Sequence, residues 1–283
     1  MSQRPNSVRW IVLTDLDGTL LDHHSYSASA AQEALSCLAL HNIPCLFNTS
    51  KTFAEVVQLR RELNTQAPFI CENGSALFIP RQGQQYSPLS TDPCDYNTEI
   101  LGAPYQDLIK VLHQARQQGF NFRSFNDMPD AEVSAVTGLD QSAARLAKQR
   151  HASEPLLWLG QPSELTAFQY WINQQGLHLV KGGRFYHLMG TTDKASAIGF
   201  FRNFYSHQYQ LPTSAIRVIA LGDGENDRCM LEQSDQPVVI PAADGSTLKL
   251  THEQLISAHA PGPVGWNKAI LQLLDSRSTE LGA

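Results

Sequence analysis

The chain has few cysteines, few basic residues and no long apolar run, and each shortage excludes a class of protein. Its five cysteines are scattered over 283 residues without a Cys-x-x-Cys pair, which argues against a zinc site or a disulfide framework and favours free thiols in a reducing compartment. Lysine and arginine number 21 against 27 acidic residues, with no basic block, which argues against nucleic-acid binding. No apolar stretch suits a membrane span or a signal-peptide core. We therefore expect a soluble cytoplasmic protein with no nucleic acid or membrane partner.

The first third of the chain alternates between strand-like and helix-like segments. This rhythm predicts a parallel sheet with right-handed crossovers, and it returns after residue 190. The strand patterns are Arg9–Thr14, Ile43–Asn48 and Phe69–Cys71, and the helical patterns are Ala28–His41 and the segment opening at the capping box Thr52-Phe53-Ala54-Glu55.

The middle of the chain changes in composition. Residues 82–104 are rich in Gln, Ser, Pro and Asp, and mixed helix and strand patterns follow up to residue 181. We therefore predict the α/β class. The core is a Rossmann-like, doubly wound parallel sheet built from residues 1–82 and 190–283, and residues 83–189 form an inserted α+β cap.

Two acidic residues follow the first predicted strand. The apolar run at residues 11–13 leads through Thr14 into Asp15-Leu16-Asp17-Gly18-Thr19. Because side chains two residues apart in a strand share a face, both carboxylates would emerge at the strand's carboxyl end, where open α/β sheets bind ligands. Carboxylates held close have pKa values that split, so one can stay ionised while the other keeps a proton. Asp-Gly is also a common turn dipeptide, and this segment alone fits a plain turn equally well.

A second strand pattern ends in the same way. The run Val218-Ile219-Ala220-Leu221 is followed by Gly222-Asp223-Gly224-Glu225-Asn226-Asp227. The two glycines allow a tight turn and a close approach to a ligand. Oxygen ligands without cysteine or histidine companions favour Mg²⁺. A solvated turn is the alternative, but two strands that each end in two acids favour a functional site.

Two further segments carry polar groups that suit a phosphate. Asn48-Thr49-Ser50-Lys51 joins a strand end to a helix start, and Asp193-Lys194 opens a later helix. On its own, the first segment is better explained as a helix cap. Lys194 on its own could be an ordinary exposed helix residue, or it could reach the acidic cluster and neutralise it.

These four segments together resemble the four motifs of the haloacid-dehalogenase-like phosphatase superfamily, and they occur in the same order along the chain. The first motif, Asp-x-Asp-Gly-Thr, matches residues 15–19, and the fourth, Gly-Asp-x-x-Asn-Asp, matches residues 222–227. The second, a Thr or Ser at a strand end, falls on Thr49, and the third, a lysine, falls on Lys194. The large insertion and the turn Glu72-Asn73-Gly74 resemble the sugar-phosphatase branch.

The resemblance implies a role for each of these residues. Asp15 would attack phosphorus to form an aspartyl-phosphate, and Asp17 would act as general acid and then as general base. Asp17 would also give its backbone carbonyl to the metal, and Asp227 would orient a metal-bound water or Lys194. The implied Mg²⁺ ligands are Asp15, Asp17, Asp223 and Asp227, and the implied phosphate-binding residues are Thr49, Lys194 and Asn226.

A narrower resemblance covers the insertion as well as the core. Asn48-Thr49-Ser50-Lys51-Thr52, Ser153-Glu154-Pro155 and the run from Gly182 to Gly190 are similar to mannosyl-3-phosphoglycerate phosphatases. This likeness implies a glycosyl-3-phosphoglycerate substrate whose carboxylate needs a cation. The candidates are Arg184, then Lys181 and His187, although His187 beside Phe185 and Leu188 also fits a structural histidine.

Other functions fit the same motifs. A broader sugar-phosphate phosphatase, or a sucrose-phosphate-like one, would share the chemistry. A phosphomutase would pass the phosphoryl group from Asp15 to an alcohol instead of to water. A non-catalytic sugar-phosphate-binding sensor would share the fold, but the presence of Asp15, Asp17, Lys194 and Asp223 argues against it. A panel of phosphorylated sugars separates the phosphatases from one another. Mg²⁺-dependent phosphate release from an aryl phosphate separates an enzyme from a sensor, and control of water access to Asp15 by cap closure separates a phosphomutase from a phosphatase.

Overall fold

The chain divides into two compact units. In the computed structural model, which describes residues 8–182 and 184–276, one unit comprises the segments up to Thr49 and from Lys194 onwards, and the other comprises Ser50–Asp193. The second unit therefore includes residues 50–82, which the sequence pattern assigned to the core, and the extent of a specificity cap stays a prediction. No helix in the described ranges is long and apolar enough to cross a membrane.

The strands and helices follow the predicted alternation closely in the outer parts of the chain. The strands in chain order are β1 Arg9–Thr14, β2 Cys45–Phe47, β3 Phe69–Cys71, β4 Ala76–Pro80, β5 Tyr96–Ile100, β6 Phe122–Ser124, β7 Ser153–Trp158, β8 Leu177–Lys181, β9 Tyr186–Gly190, β10 Ile216–Gly222, β11 Gln236–Val239 and β12 Ile256–Ser257. The helices are α1 Gln32–Leu40, α2 Phe53–Glu62, α3 Tyr105–Gln117, α4 Asp130–Thr137, α5 Gln141–Ala147, α6 Pro162–Gln174, α7 Ser196–Tyr209, α8 Arg228–Gln233 and α9 Gly262–Ser276.

The first unit contains a parallel sheet of five strands in the order β12-β11-β10-β1-β2. In β1, every residue after Arg9 is buried. Continuous burial is typical of a parallel strand covered on both faces, which explains why its sequence reads as an unbroken apolar run. The predicted α/β class with a parallel central sheet is confirmed.

Helices cover this sheet. α1 and α9 pack against each other, and α7 and α8 pack against β10 and against each other. The buried face of α9 includes Trp266, Ile270 and Leu273. These residues recur at the three- and four-residue spacing of one helix face, so the burial of apolar surface holds the C-terminal helix on the sheet.

The second unit contains two antiparallel sheets. One has three strands in the order β3-β4-β5, and the other has four in the order β6-β7-β9-β8. Leu108, Phe168 and Leu188 lie at the centre of an apolar cluster that joins α3 and α6 to the four-stranded sheet. A smaller cluster around Phe125 and Val133 lies beside it.

Phe69–Cys71 forms the predicted strand but not in the predicted sheet. The alternation placed it in the parallel sheet, whereas β3 pairs antiparallel with β4. The reason lies in the turn between them, where Glu72 and Asn73 have φ values of 56° and 57°. Two successive residues in the left-handed region reverse the chain tightly, so β3 and β4 pair as a hairpin.

Candidate active site

The two acidic strand ends lie side by side. β1 and β10 are paired in register, with Thr14 opposite Leu221. The N–H of Asp15 continues this ladder by donating to the carbonyl of Leu221 at 2.9 Å. The parallel pairing therefore places Asp15 and Asp223 just beyond neighbouring strand ends, as the sequence pattern predicts.

Lys194 joins this edge from a distant part of the sequence. Its Nζ donates to Oδ1 of Asp15 at 2.5 Å and to Oδ1 of Asp227 at 2.6 Å. The side chains of Lys194 and Asp227 are fully buried. Lys194 lies in the turn before α7 and is no exposed helix residue. Its ammonium offsets one of the negative charges of the acidic cluster.

Burial and mutual charge shift the pKa values of this cluster. Burial raises the pKa of Asp15 well above its ordinary value, the negative charges of Asp227 and Asp223 raise it further, and Lys194 opposes them. Burial alone would lower the pKa of Lys194, but the charges of Asp15 and Asp227 outweigh that effect and raise it. The ammonium therefore stays charged at neutral pH.

Asp223 is held by a residue of the first motif. Thr19 Oγ1 donates to Asp223 Oδ1 at 2.9 Å. A Cβ on Gly18 would lie 2.8 Å from Asp223 Oδ2, and the φ of Gly18 is +78°, so only glycine fits there without strain. Burial and the charge of Asp227 raise the pKa of Asp223, and the Thr19 hydroxyl opposes them.

Asp227 organises the loop that carries Asp223. Its Oδ2 accepts hydrogen bonds from the N–H groups of Asp223 and Gly224, each at 3.0 Å. A Cβ on Gly222 would lie 2.5 Å from the side chain of Asp227. Glycine at this position therefore lets a buried carboxylate approach the backbone closely.

The carboxylates suit a hard divalent cation. Asp15, Asp223 and Asp227 each offer an oxygen within 4.8 Å of the others. Together with the Lys194 ammonium, the three carboxylates give a formal charge of −2 when all are ionised, and a divalent cation balances this charge. The carboxylate of Asp17 is not in this group.

The other predicted phosphate-binding residues differ in their surroundings. Thr49 is buried directly after Asn48 at the end of β2. Asn226 is exposed, and a Cβ on Gly224 would lie 2.7 Å from its Oδ1. Asn226 therefore lies over the Gly224 backbone, and no hydrogen bond joins its side chain to the buried carboxylates in the described ranges.

A model of the haloacid dehalogenase-like hydrolases matches residues 12–262. This chain belongs to that family. Members of the family generally use Mg²⁺, and the cluster of aspartates described above is in keeping with that.

Two relatives align with nearly the whole of this haloacid dehalogenase-like hydrolase. A protein of Methanococcoides burtonii is 37% identical over 272 residues, which cover 94% of this chain and 98% of the relative. A protein of Persephonella marina is 32% identical over 267 residues, which cover 94% and 97%. Both are named glucosyl-3-phosphoglycerate/mannosyl-3-phosphoglycerate phosphatase.

Solved structures of the same fold are more distant in sequence. A haloacid dehalogenase-like hydrolase from Bacteroides thetaiotaomicron superposes with a TM-score of 0.64 at 15% identity and covers 94% of this chain and 99% of its own. The sucrose-phosphatase of Synechocystis sp. PCC6803 gives 0.59 at 12% identity, with 94% and 98% covered. At these identities the likeness establishes the fold.

The three residues that the sequence of this family member predicts as partners of a substrate carboxylate all belong to the second unit. Lys181 is exposed at the end of β8. Arg184 is exposed, and its Nη2 donates to the carbonyl of Thr137. Burial, reinforced by the positive charge of Arg150, lowers the pKa of His187 to about 3, so this imidazole is neutral at physiological pH and is the weakest of the three as an anion-binding group.

Three residues at the candidate site have roles that the sequence patterns missed. Thr19 belongs to the first motif, and its spacing from Asp15 was a sequence signal that it lies near the acidic cluster. Asn48 donates to the carbonyl of Lys194, and Trp266 donates to Thr14 Oγ1 at 2.9 Å. The last contact spans 252 residues, and no local pattern indicates it.

Proposed function

We propose that the chain is a Mg²⁺-dependent phosphatase that hydrolyses a glycosyl-3-phosphoglycerate, with mannosyl-3-phosphoglycerate as the expected substrate. The observation that carries the proposal is the buried Lys194 ammonium between Asp15 and Asp227, in a chain whose relatives bear the name of this activity. The substrate is thus a phosphorylated small molecule, and the products are the glycosylglycerate and inorganic phosphate.

Asp15 is the proposed nucleophile and Asp17 the proposed acid and base. A carboxylate oxygen of Asp15 bonds to phosphorus while the bond to the glycerate oxygen breaks, and Asp17 gives that oxygen a proton. Asp17 then takes a proton from water, whose oxygen bonds to phosphorus as the bond from Asp15 breaks. Inorganic phosphate leaves, and both carboxyl groups return to their starting forms.

Lys194 and Thr49 are the proposed partners of the phosphoryl oxygens. The Lys194 ammonium is fixed by two carboxylates before substrate arrives, so it needs little reorganisation as charge develops on those oxygens. Thr49 is buried at the end of β2 and would offer its hydroxyl. Asn226 is proposed to support the phosphate from the exposed side of the loop.

Asp15, Asp223 and the backbone carbonyl of Asp17 are the proposed ligands of Mg²⁺. When bound, the ion screens the repulsion between carboxylate and phosphate and polarises the phosphoryl group. Asp227 accepts hydrogen bonds from the backbone N–H of Asp223 and from the ammonium of Lys194, so it orients both groups.

The part of the second unit formed by the inserted segment is proposed to recognise the leaving group. Residues 83–189 are kept as the proposed specificity cap, with residues 1–82 and 190–283 as the proposed catalytic core. Arg184 and Lys181 are the proposed cations for the glycerate carboxylate, with His187 as a neutral hydrogen-bonding partner. The proposed compartment is the cytoplasm, because no disulfide joins the five cysteines, all of which lie in the described ranges.

The test is phosphate release from mannosyl-3-phosphoglycerate, glucosyl-3-phosphoglycerate, sucrose 6-phosphate and glucose 6-phosphate, each with Mg²⁺ and with a chelator. We expect the highest kcat/KM for a glycosyl-3-phosphoglycerate and no release with the chelator. Asp15→Asn should keep its circular dichroism spectrum but lose activity by about 10⁴-fold or more, because the nucleophile is gone.

Asp235→Asn is the matched control, since Asp235 pairs with Arg202 and Arg217 and not with the cluster. It should keep most of its activity. Full activity of Asp15→Asn would overturn the mechanism. A preference for glucose 6-phosphate would indicate the broader sugar phosphatase, and binding of every substrate without phosphate release would indicate a sensor.

A further inference from the structure

Asn48 ties together two distant points of the first unit. It follows β2 and is fully buried, and its backbone N–H donates to the carbonyl of Thr14 at 2.8 Å. Its side-chain Nδ2 donates to the backbone carbonyl of Lys194, also at 2.8 Å, across 146 residues of sequence. Asn48 is therefore fixed to β1 by its main chain and to Lys194 by its side chain.

These two points are where the chain leaves the first unit and where it returns. The first segment of the unit ends at Thr49, and the second begins at Lys194. Lys194 precedes the first residue of α7 by two positions, so its backbone lies in a turn and is not held by a helix on both sides. The bond from Asn48 supplies a fixed anchor at this return point.

The anchor acts on the same residue whose ammonium neutralises Asp15. A lysine side chain has a long flexible stem, and the place of its ammonium depends on where its backbone is held. Lys194 is held at the carbonyl by Asn48 and at Nζ by Asp15 and Asp227. Without the amide, the buried carbonyl of Lys194 loses its donor, and an unpaired buried carbonyl favours a shift of the turn.

We propose that Asn48 is a positioning residue that sets the place of the Lys194 ammonium in the acidic cluster. For its effect on turnover, the proposal rests on the proposed phosphatase function, in which Lys194 binds the phosphoryl oxygens. The orientation of the amide matters, because a turned amide would set its Oδ1 against the Lys194 carbonyl. Oδ1 is buried and has no hydrogen-bond partner among the described residues, so the role of the side chain is that of a donor.

The first test reads the position of Lys194 without using activity. Native protein is treated with a low dose of acetic anhydride, and acetylation of each lysine is measured by mass spectrometry. Lys194 should be protected in the wild type, because its side chain is fully buried, and should become reactive in Asn48→Ala. Asn48→Asp keeps the shape of the side chain but has no donor when ionised, and it should expose Lys194 as well.

Asn267→Ala is the matched control for this labelling. Asn267 Oδ1 accepts from the N–H of Ala34 at 2.8 Å, so the variant loses one asparagine–backbone bond of the same length in the same unit. Lys194 should stay protected in this variant. The proposal is overturned if Lys194 stays protected in both Asn48 variants, or if Asn267→Ala exposes it equally.

The second test separates positioning from substrate affinity. With the best substrate of the panel, Asn48→Ala and Asn48→Asp should lower kcat by about 10- to 100-fold, because a displacement near 1 Å at a reacting group costs up to about that much. KM should change by less than about threefold. Wild-type kcat in folded Asn48→Asp would overturn the proposal and indicate a packing role. If the wild type releases no phosphate at all, the proposed function fails, and the labelling experiment still decides the role of Asn48.

Discussion

Glu72 has surroundings that are unusual for a glutamate. It is fully buried, its φ is 56°, and its carboxylate accepts from the N–H groups of His151 and Ala152 and from the hydroxyl of Ser153. Burial alone would raise the pKa of Glu72, but hydrogen bonds from His151 and Ser153 and the charge of Arg150 outweigh it and lower the pKa. The turn at Glu72 was visible as a pattern, whereas its partners some 80 residues later were not.

Replacing Glu72 by glutamine should lower the free energy of unfolding by an amount that depends on pH. Because the pKa of Glu72 is lowered in the folded state, its charge stabilises the fold above the ordinary glutamate pKa of about 4.3, and this contribution is lost as the pH falls through the lower folded-state value. Glu72→Gln should therefore be less stable than the wild type by about 1–3 kcal/mol at neutral pH, and the difference should shrink in acid. Urea unfolding at a series of pH values measures it.

The control for this series is Glu99→Gln, an exposed residue of β5 in the same unit. It should unfold like the wild type at every pH. An equal loss for Glu72→Gln at neutral and acid pH would show that shape, and not charge, accounts for the effect.

The C-terminal helix is connected to the candidate site by the hydrogen bond from Trp266 to Thr14. Trp266 of α9 is fully buried and donates from its indole to Thr14 Oγ1, and Thr14 Oγ1 donates to the carbonyl of Asp15 at 2.8 Å. The periodic apolar face of α9 was predictable from sequence, but the choice of Thr14 as its polar partner was not, because it depends on which strand the helix covers.

Trp266→Phe should weaken this connection. It removes a buried donor and leaves a small void, for which we expect a loss of about 2 kcal/mol in the free energy of unfolding. Trp158→Phe is the comparison, because the Trp158 indole donates to the Gln161 carbonyl at an exposed position, where water can replace it. Chemical denaturation of both variants measures the difference, and equal losses would contradict the role given to the Trp266 bond.

For the molecule as a whole, the cluster of three carboxylates at one edge of the parallel sheet is a place where a bound cation can affect stability. Asp15, Asp223 and Asp227 outnumber the single ammonium of Lys194 at this edge. A cation that binds only the folded protein stabilises it in proportion to ln(1 + [ligand]/Kd), about 2.7 kcal/mol at 100 times Kd. Mg²⁺ should therefore raise the unfolding midpoint of the wild type.

Asp223→Asn removes one proposed ligand, so the rise with Mg²⁺ should be much smaller in this variant. Asp235→Asn, which changes an aspartate outside the cluster, should keep the full rise. Thermal unfolding with increasing Mg²⁺ measures all three proteins, and an unchanged rise in Asp223→Asn would remove Asp223 from the proposed ligands.

The α/β class, the parallel core and the acids at one edge were predictable from the sequence. Local patterns carry this information, because an apolar strand followed by two acids reads the same wherever it lies, and the carboxyl ends of parallel strands share an edge. Three features became visible only in the folded chain: β3 pairs in a hairpin with β4, Asn48 donates to the carbonyl of Lys194, and Trp266 donates to Thr14. Hydrophobic periodicity indicates which face of an element is buried, but the partner on that face follows from the packing of distant segments. The acids at the strand ends were therefore predictable, and the groups that hold them in place were not.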